Sequence, residues 1–449
     1  MQESIRFIHT GDLHLGSPLK TVGKVSDVLQ KSLRESTYKA IENIVDAALN
    51  YDVDFVLMCG DIYDNESRSV KGNLFLNTQM KRLASKGIPV FIIYGNHDSI
   101  GRSMDFFKLP GNVKVLGAEA VEMYEVADKS GRIRARILGQ SYGAPSETKK
   151  IHLNYKPPED DLINIAMLHT GLDPGPNTYV PCSPEELKNF PAIHYWALGH
   201  IHAPTIINDK NPVIAYPGIP QGRNVGESGL KGCLLVEAAA PDQMKVQFVP
   251  TSPIVWLIPK ISLDLYPSLS DIGDLEELLV EQGQKISAAA SGIFPDCSLA
   301  ENDFKPEGYA VRWEISGRCP IHDDLIAGNE PEITETLEEL LNQRLSTHKP
   351  YLWTEGVKLR TASPIPDLEF LLKKDETLKT LHAIRQKIQE DEKYKEEAIS
   401  AMGEIWYKPR RPEDLRDDTF PVTAERFDSL LEDAFNLALE RIVKEREEQ

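Results

Sequence analysis

The chain has 449 residues, a formal net charge of −19, 41% hydrophobic residues and 27% charged ones. That length exceeds what one hydrophobic core usually fills, so two or three domains are expected of an ordinary soluble globular composition. The acidic balance excludes a surface that is basic throughout, as a broad nucleic-acid footprint would be, while leaving room for a local basic groove. Ile5–Ile8 reads as an opening strand, and residues 33–49 as a helix with Ile41, Ile44, Val45, Ala48 and Leu49 on one face. Asp54–Cys59 is a near-continuous apolar run, the mark of a strand buried on both faces. A helix over about 71–86 then leads to another such run, Pro89–Tyr94. Strand–helix alternation of this kind predicts an α/β layered fold.

After residue 110 the strands come closer together: 134–138, 163–168, 195–198, 213–215, 233–237 and 245–249. They predict a second sheet packed on the first and covered by helices, with surface loops at 143–160 and 203–232. Pro250-Thr251-Ser252-Pro253 is expected as a linker closing a first domain, 1–250. A small α/β module, 251–363, follows with strands at 257–265, 309–316 and 351–360 and helices at 271–285 and 331–345. From Pro364-Ile365-Pro366 the region 364–449 reads as helical and charged. Leu378, Leu381, Ile384 and Ile388 form one apolar stripe there. A last helix, N-capped by Thr423, carries another from Phe427 to Ile442.

No apolar run is long enough to span a bilayer and no signal peptide is visible, so a cytoplasmic chain without membrane contact is expected. The five cysteines are scattered without a Cys-x-x-Cys, which argues against a disulfide framework and a zinc ribbon. Cys59 and Cys233 read as small buried residues. Candidate basic patches are Arg132, Arg134 and Arg136, then Lys149 and Lys150, then Lys408, Arg410 and Arg411. Each is expected to be ordinary solvated surface.

Chemistry concentrates in five short motifs: Gly11-Asp12-Leu13-His14, Gly60-Asp61, Gly95-Asn96-His97-Asp98, Leu168-His169-Thr170-Gly171 and Gly199-His200-Ile201-His202. Each follows an apolar, β-prone run, so each is expected at the carboxyl edge of a sheet, where α/β folds bind ligands. Asp12 and His14 have a spacing that lets both chelate one ion, and His200 and His202 repeat it. Asp61 is a single carboxylate suited to bridge two ions, and Asn96 and His169 can complete the second. Oxygen and nitrogen ligands without thiolate favour manganese, iron, zinc or magnesium. A lone Asp-x-His is weak evidence, but the ordered set predicts a pair of divalent ions clamping a phosphoester. His9, His152, His194, His322, His348 and His382 lack such partners and are expected to be structural or exposed. Asp64, in Asp61-Ile62-Tyr63-Asp64, is expected to cap its loop.

These motifs resemble the calcineurin-like metallophosphoesterase family. The resemblance implies a four-layer α/β/β/α sandwich with a small α/β capping domain and a helical C-terminal extension. Carried over, Asp12, His14, Asp61 and His202 would hold one ion, and Asp61, Asn96, His169 and His200 the other, with manganese expected. His97 would touch the scissile phosphate, aided by Asp98. Ile8-His9-Thr10-Gly11-Asp12-Leu13-His14-Leu15-Gly16, Cys59-Gly60-Asp61-Ile62-Tyr63-Asp64, and Tyr216-Pro217-Gly218 with Gln221-Gly222-Arg223 and Gly229-Leu230-Lys231-Gly232 look most like bacterial SbcD/YhaO-type DNA repair exonucleases. That likeness covers roughly residues 1–265. It implies DNA as substrate and an SbcC-like coiled-coil ABC-type ATPase as partner through the C-terminal helices, and it leaves homodimerisation open. The alternatives are a phosphomonoesterase or nucleotide phosphodiesterase on a small substrate, and a non-catalytic scaffold for the ATPase.

Overall fold

The structure, a computed structural model, describes residues 4–19, 27–64, 67–100, 108–173, 175, 178–288, 304–327, 330–347, 349–364, 375–402 and 424–447. His348, Ile365, Pro366, Lys408, Arg410, Arg411 and Thr423 lie outside them. The described chain divides into two compact units. The first comprises 1–257, 282–311 and 342–355, and the second 258–281, 312–341 and 356–449.

In the first unit one six-stranded sheet has the order β12-β11-β1-β2-β3-β4. Here β1 is Ile5–Thr10, β2 Phe55–Cys59, β3 Val90–Ile93, β4 Val113–Val115, β11 Gly232–Ala240 and β12 Gln243–Pro250. Strands β1 to β4 run parallel, and β11 closes antiparallel on β1. The second six-stranded sheet has the order β5-β6-β7-β8-β10-β9. Its members are β5 Glu122–Ala127, β6 Ile133–Gly139, β7 Ile163–His169, β8 Tyr195–Gly199, β9 Thr205–Asn208 and β10 Val213–Tyr216. Strands β6, β7, β8 and β10 are parallel, with antiparallel β5 and β9 at the edges.

Side chains alternate across each strand, and that alternation builds the layers. Ile8, Val56, Met58, Val90 and Ile92 pack against helices α1 (Asp27–Asn50) and α2 (Val70–Ala84) through Ile41, Ile44, Val45, Leu76, Met80 and Leu83. The alternate residues Ile5, Phe7, Phe55, Leu57, Phe91 and Ile93 face Ala135, Ile137, Ile165, Met167, Tyr195 and Ala197 of the second sheet. Phe7 stacks on Phe55 at 4.8 Å and meets Tyr195 edge-on at 5.3 Å. The outer face of the second sheet is covered by Tyr142, Ile151, Tyr155, Val180 and Leu187. The four-layer sandwich is therefore present. Its fourth layer is thin, built from loops and the short helix α3 (Pro184–Lys188), which carries a Ser183–Glu186 capping box.

The segment Pro250–Pro253 is not an exposed linker. Thr251 and Ser252 are fully buried. Both of their N–H groups donate to the Lys231 carbonyl, and the Thr251 hydroxyl donates to Pro220 O. The chain runs straight on into β13 (Ile254–Leu257), which pairs in parallel with Gly308–Val311, the start of β15 (Gly308–Arg318). The compact units accordingly do not divide at residue 250.

In the second unit β14 (Lys260–Ser262) pairs with Glu314–Ser316 of β15. Helix α4 (Ile272–Ala288), α5 (His322–Ala327) and α6 (Glu330–Leu345) precede β16 (Tyr351–Ala362). Helices α7 (Glu376–Glu390), α8 (Glu392–Ala401) and α9 (Ala424–Glu447) complete the described chain. The two apolar stripes read from the sequence pack on each other, with Leu378, Phe435 and Leu439 buried beside Leu381 and Ile442. Arg385 of α7 pairs with Glu432 of α9, and Lys395 of α8 with Asp428 of α9.

Candidate metal centre

The five motifs meet at one end of the sandwich. Asp12, Asp61 and Asn96 follow the carboxyl ends of β1, β2 and β3, and His169 and Gly199 end β7 and β8. Register sets these ends abreast: Thr10 lies opposite Met58, Cys59 opposite Ile93, and His169 opposite Gly199. The loops turn sharply enough that the candidate ligands themselves take the left-handed conformation. Asp12, His14, Asp61 and His200 have φ of +50°, +42°, +52° and +103°. Such conformations cost side-chain-bearing residues on the order of 1–3 kcal/mol each and persist where surrounding structure imposes them. Gly60 shares the positive φ, at +89°. Gly95 is required for space: a Cβ there would overlap Asp61 Oδ1 and lie 2.7 Å from Cε1 of His169.

Three donor groups converge within ligand distance: Asp12 with His14 and His202, Asp12 with Asp61 and His169, and His14 with Asp64 and His97. Asp12 is fully buried, and its carboxylate accepts the His200 N–H through both oxygens at 3.0 Å. Asp61 Oδ1 accepts the His97 N–H at 2.9 Å, and its Oδ2 lies 3.5 Å from His169 Nε2. Asn96 Oδ1 sits 3.0 Å from the same nitrogen. The His200 ring lies 5.2 Å from His169 and is tilted against Tyr179 at 4.5 Å. All seven expected ligand residues are thus gathered at one place.

The nitrogen geometry tests whether cations fit. His14 Nδ1 faces Asp64 Oδ1 at 2.6 Å, and His202 Nδ1 faces Glu227 Oε1 at 2.7 Å. Ionised carboxylates only accept, so each Nδ1 carries a proton and each ring turns its Nε2 away from the carboxylate, where as a metal ligand it would present its lone pair. Those two Nε2 atoms face each other at 3.2 Å. Two opposed lone pairs repel, and a cation between them relieves the conflict. His169 repeats the pattern, with Nδ1 on the Cys59 carbonyl at 3.0 Å and Nε2 turned toward Asn96 and Asp61. Burial depresses His169, yet Asp61 and Asp12 raise it to about 9. Burial pushes the Asp12 carboxyl up and lowers His200 to about 3, the response of ionisable groups removed from water. The donor set fits two divalent ions.

His97 differs from the ligands: its side chain is 46% exposed, and its Nδ1 lies 3.0 Å from Asp64 Oδ1. That bond raises its pKa against burial. The carboxylate that orients His97 is therefore Asp64. Asp98, expected in that role, is fully buried and accepts backbone N–H groups from Gly95 at 2.8 Å, Ile62 at 2.6 Å and Tyr63 at 3.3 Å. Its task is to tie the β3 loop to the β2 loop. Asp64 is more than a loop cap, since His14, His97, Ser17 and Arg223 all converge on it. Sequence reasoning also missed Glu227, which lies in a segment expected to be a surface loop.

Two of the remaining histidines have structural hydrogen bonds. His9 is buried between Tyr195 Oη and Leu198 O at 3.0 Å each, and His194 Nδ1 accepts the Asn164 N–H. One basic patch is committed internally in part: Arg134 and Arg136 are buried and Arg136 pairs with Asp160 at 2.8 Å, whereas Lys149 and Lys150 are exposed, with Lys150 paired to Glu186 at the surface. Cys59 and Cys233 are buried, as expected. No helix among the described residues is long and apolar enough to cross a membrane.

Comparison with known proteins agrees with this geometry. Residues 5–204 match the family model described as calcineurin-like phosphoesterase. The uncharacterized metallophosphoesterase YhaO of Bacillus subtilis (strain 168) is 34% identical over 258 residues, covering 57% of this chain and 62% of that protein. The DNA double-strand break repair protein Mre11 of Archaeoglobus fulgidus is 26% identical over 229 residues, 48% of this chain and 49% of that protein. The protein of the same name from Methanocaldococcus jannaschii is 28% identical over 221 residues, 47% and 55% respectively. The chain therefore spans between about half and three-fifths of the length of these relatives. Motifs, layer order, donor geometry and family match coincide: this chain carries a calcineurin-like phosphoesterase domain over residues 5–204.

Proposed function

We propose that the chain is a metal-dependent DNA nuclease, an exonuclease acting at DNA ends in repair. The observation that carries this reading is the placement of an exposed, carboxylate-held His97 beside two converging ligand groups. Asp12, His14, Asp61 and His202 would hold one divalent ion, and Asp61, Asn96, His169 and His200 the other, manganese being the first candidate. Bound there, two such ions would neutralise phosphate charge and activate water for attack on phosphorus. His97 has its Nδ1 on Asp64, so its Nε2 is the atom offered to the phosphoryl group or to the departing oxygen, which it would protonate. Asp64 holds that ring in place and keeps it protonated to higher pH than a free histidine. The names of the Mre11 relatives support DNA as the substrate.

A second reading, hydrolysis of a small phosphomonoester or nucleotide phosphodiester, draws support from the charge of −19 and from the internal pairing of Arg136. One assay separates the two. Purified protein with Mn²⁺ is given end-labelled linear duplex DNA, bis-p-nitrophenyl phosphate and p-nitrophenyl phosphate. The nuclease reading requires DNA degradation that is lost in His97→Asn. Turnover of small esters with intact DNA overturns it in favour of the second reading. The proposal extends to a coiled-coil ATPase docking on the C-terminal helices, where Ile384 and Leu437 are 51% and 52% exposed. Truncation after residue 364 is expected to abolish that association and to spare small-ester hydrolysis.

A further inference from the structure

Beyond the expected ligands, five side chains close a ring around one half of the centre. His14 Nδ1 donates to Asp64 at 2.6 Å, and Asp64 Oδ2 lies 3.4 Å from Arg223 Nη1. Arg223 Nη2 lies 3.5 Å from Glu227 Oε1, which accepts from His202 Nδ1 at 2.7 Å. His202 Nε2 returns to His14 Nε2 at 3.2 Å. Glu227 is fixed from its own side. It ends a 3-10 turn, Val225–Glu227, capped by Asn224, and its Oε2 accepts the Arg223 backbone N–H at 2.6 Å. Its side chain is only 15% exposed.

Among the described residues, the other half of the centre shows no such ring of side chains. His169 is held by a backbone carbonyl, Cys59 O. A carboxylate behind a histidine ligand makes the ring more basic and fixes its tautomer, whereas a peptide carbonyl fixes the tautomer with less charge. The two halves are therefore built to hold their ions by different means, one through side chains and one through backbone.

We propose that Glu227 and Arg223 are positioning residues for one ion only, the one held by Asp12, His14 and His202. Glu227 sets the tautomer and orientation of His202. Arg223 ties Glu227 to Asp64, so that His14 and His202 are aimed together. This inference rests on the two-ion reading of the centre and deepens it.

The test is Mn²⁺ binding to the full-length chain, followed by titration calorimetry and electron paramagnetic resonance, for wild type, Glu227→Gln, Arg223→Met and Arg223→Lys. Glutamine keeps the shape of Glu227 and removes its charge. Glu227→Gln is expected to weaken one of two ions by about 10–100-fold and to leave the other unchanged. Arg223→Met is expected to weaken the same ion, with partial recovery in Arg223→Lys. The unfolding midpoint in EDTA should match wild type, which separates ion positioning from a general loss of fold. Wild-type affinity for both ions in Glu227→Gln overturns the inference, as does equal weakening of both. A wild-type chain that binds no ion pair overturns this inference and the two-ion reading together. A chain that binds two ions with the predicted asymmetry but spares DNA overturns only the nuclease reading.

Discussion

Gly95→Ala places one methyl group against Asp61 and His169. The new Cβ would overlap Asp61 Oδ1 and lie 2.7 Å and 2.8 Å from Cε1 and Nε2 of His169. Relief of these contacts requires a shift of roughly 1 Å in Asp61, His169 or the β3 loop, since carbon–carbon contacts settle near 3.5–4 Å. Displacement of that size at a reacting centre costs on the order of 100-fold in rate. Overpacking itself is expected to destabilise by about 1–3 kcal/mol. The assay is Mn²⁺-dependent hydrolysis of bis-p-nitrophenyl phosphate, with metal content measured on the same preparation. Gly87→Ala serves as the control: its φ is +70° but nothing lies within 4 Å of the added carbon. That variant should lose about 1–2 kcal/mol of stability from the backbone alone and keep full activity. A Gly95→Ala protein with wild-type rate and metal content would refute the geometric account of the centre.

Asp64 and Asp98 should separate cleanly. Asp64→Ala is expected to cost at least about 10-fold in turnover with a modest loss of stability, because it releases His97 and His14. Asp98→Ala leaves buried N–H groups of Gly95, Ile62 and Tyr63 without their acceptor and should destabilise by at least about 3 kcal/mol in chemical denaturation. Equal stability loss in the two variants would contradict these assignments. Burial depresses His9 from 6.5 to about 3, so the unfolded chain binds a proton that the folded chain refuses between those values. Stability should therefore be full above about pH 6.5 and fall as the pH drops toward 3. The slope from this group alone approaches about 1.4 kcal/mol per pH unit. His9→Gln should flatten that fall; an unchanged slope in urea titrations at stepped pH would count against it. Chelation should lower the unfolding midpoint, and added Mn²⁺ should restore it in a concentration-dependent way; a midpoint indifferent to both would argue against bound ions.

Much of the sandwich is legible because its central strands are buried on both faces. Asp54–Cys59 and Pro89–Tyr94 can be little else than interior strands, and the polar motifs that follow them must lie at the sheet edge. Edge strand β5 escapes such reading because Glu122 and Glu125 break its apolar run and most of its side chains are half-buried or exposed. The ligands are legible for the same reason as the core strands: each is anchored to a strand end. The residues behind them are not, because they arrive from elsewhere in the chain. Asp64 reaches a histidine 50 residues earlier, and Glu227 one 25 residues earlier. The motif around Gln221 to Gly232 is visible as unusual, but nothing in its spacing says that Glu227 faces His202. Polar character misleads at Thr251 and Ser252, whose hydrogen-bonding groups are satisfied inside the fold, and at Arg136, whose charge is matched by Asp160.

Anomalous diffraction from crystals grown with Mn²⁺ tests the central claim most directly. Two peaks are predicted, one among Asp12, His14 and His202 and the other among Asn96, His169 and His200, with Asp61 between them. A single peak, or peaks away from these side chains, would contradict the account.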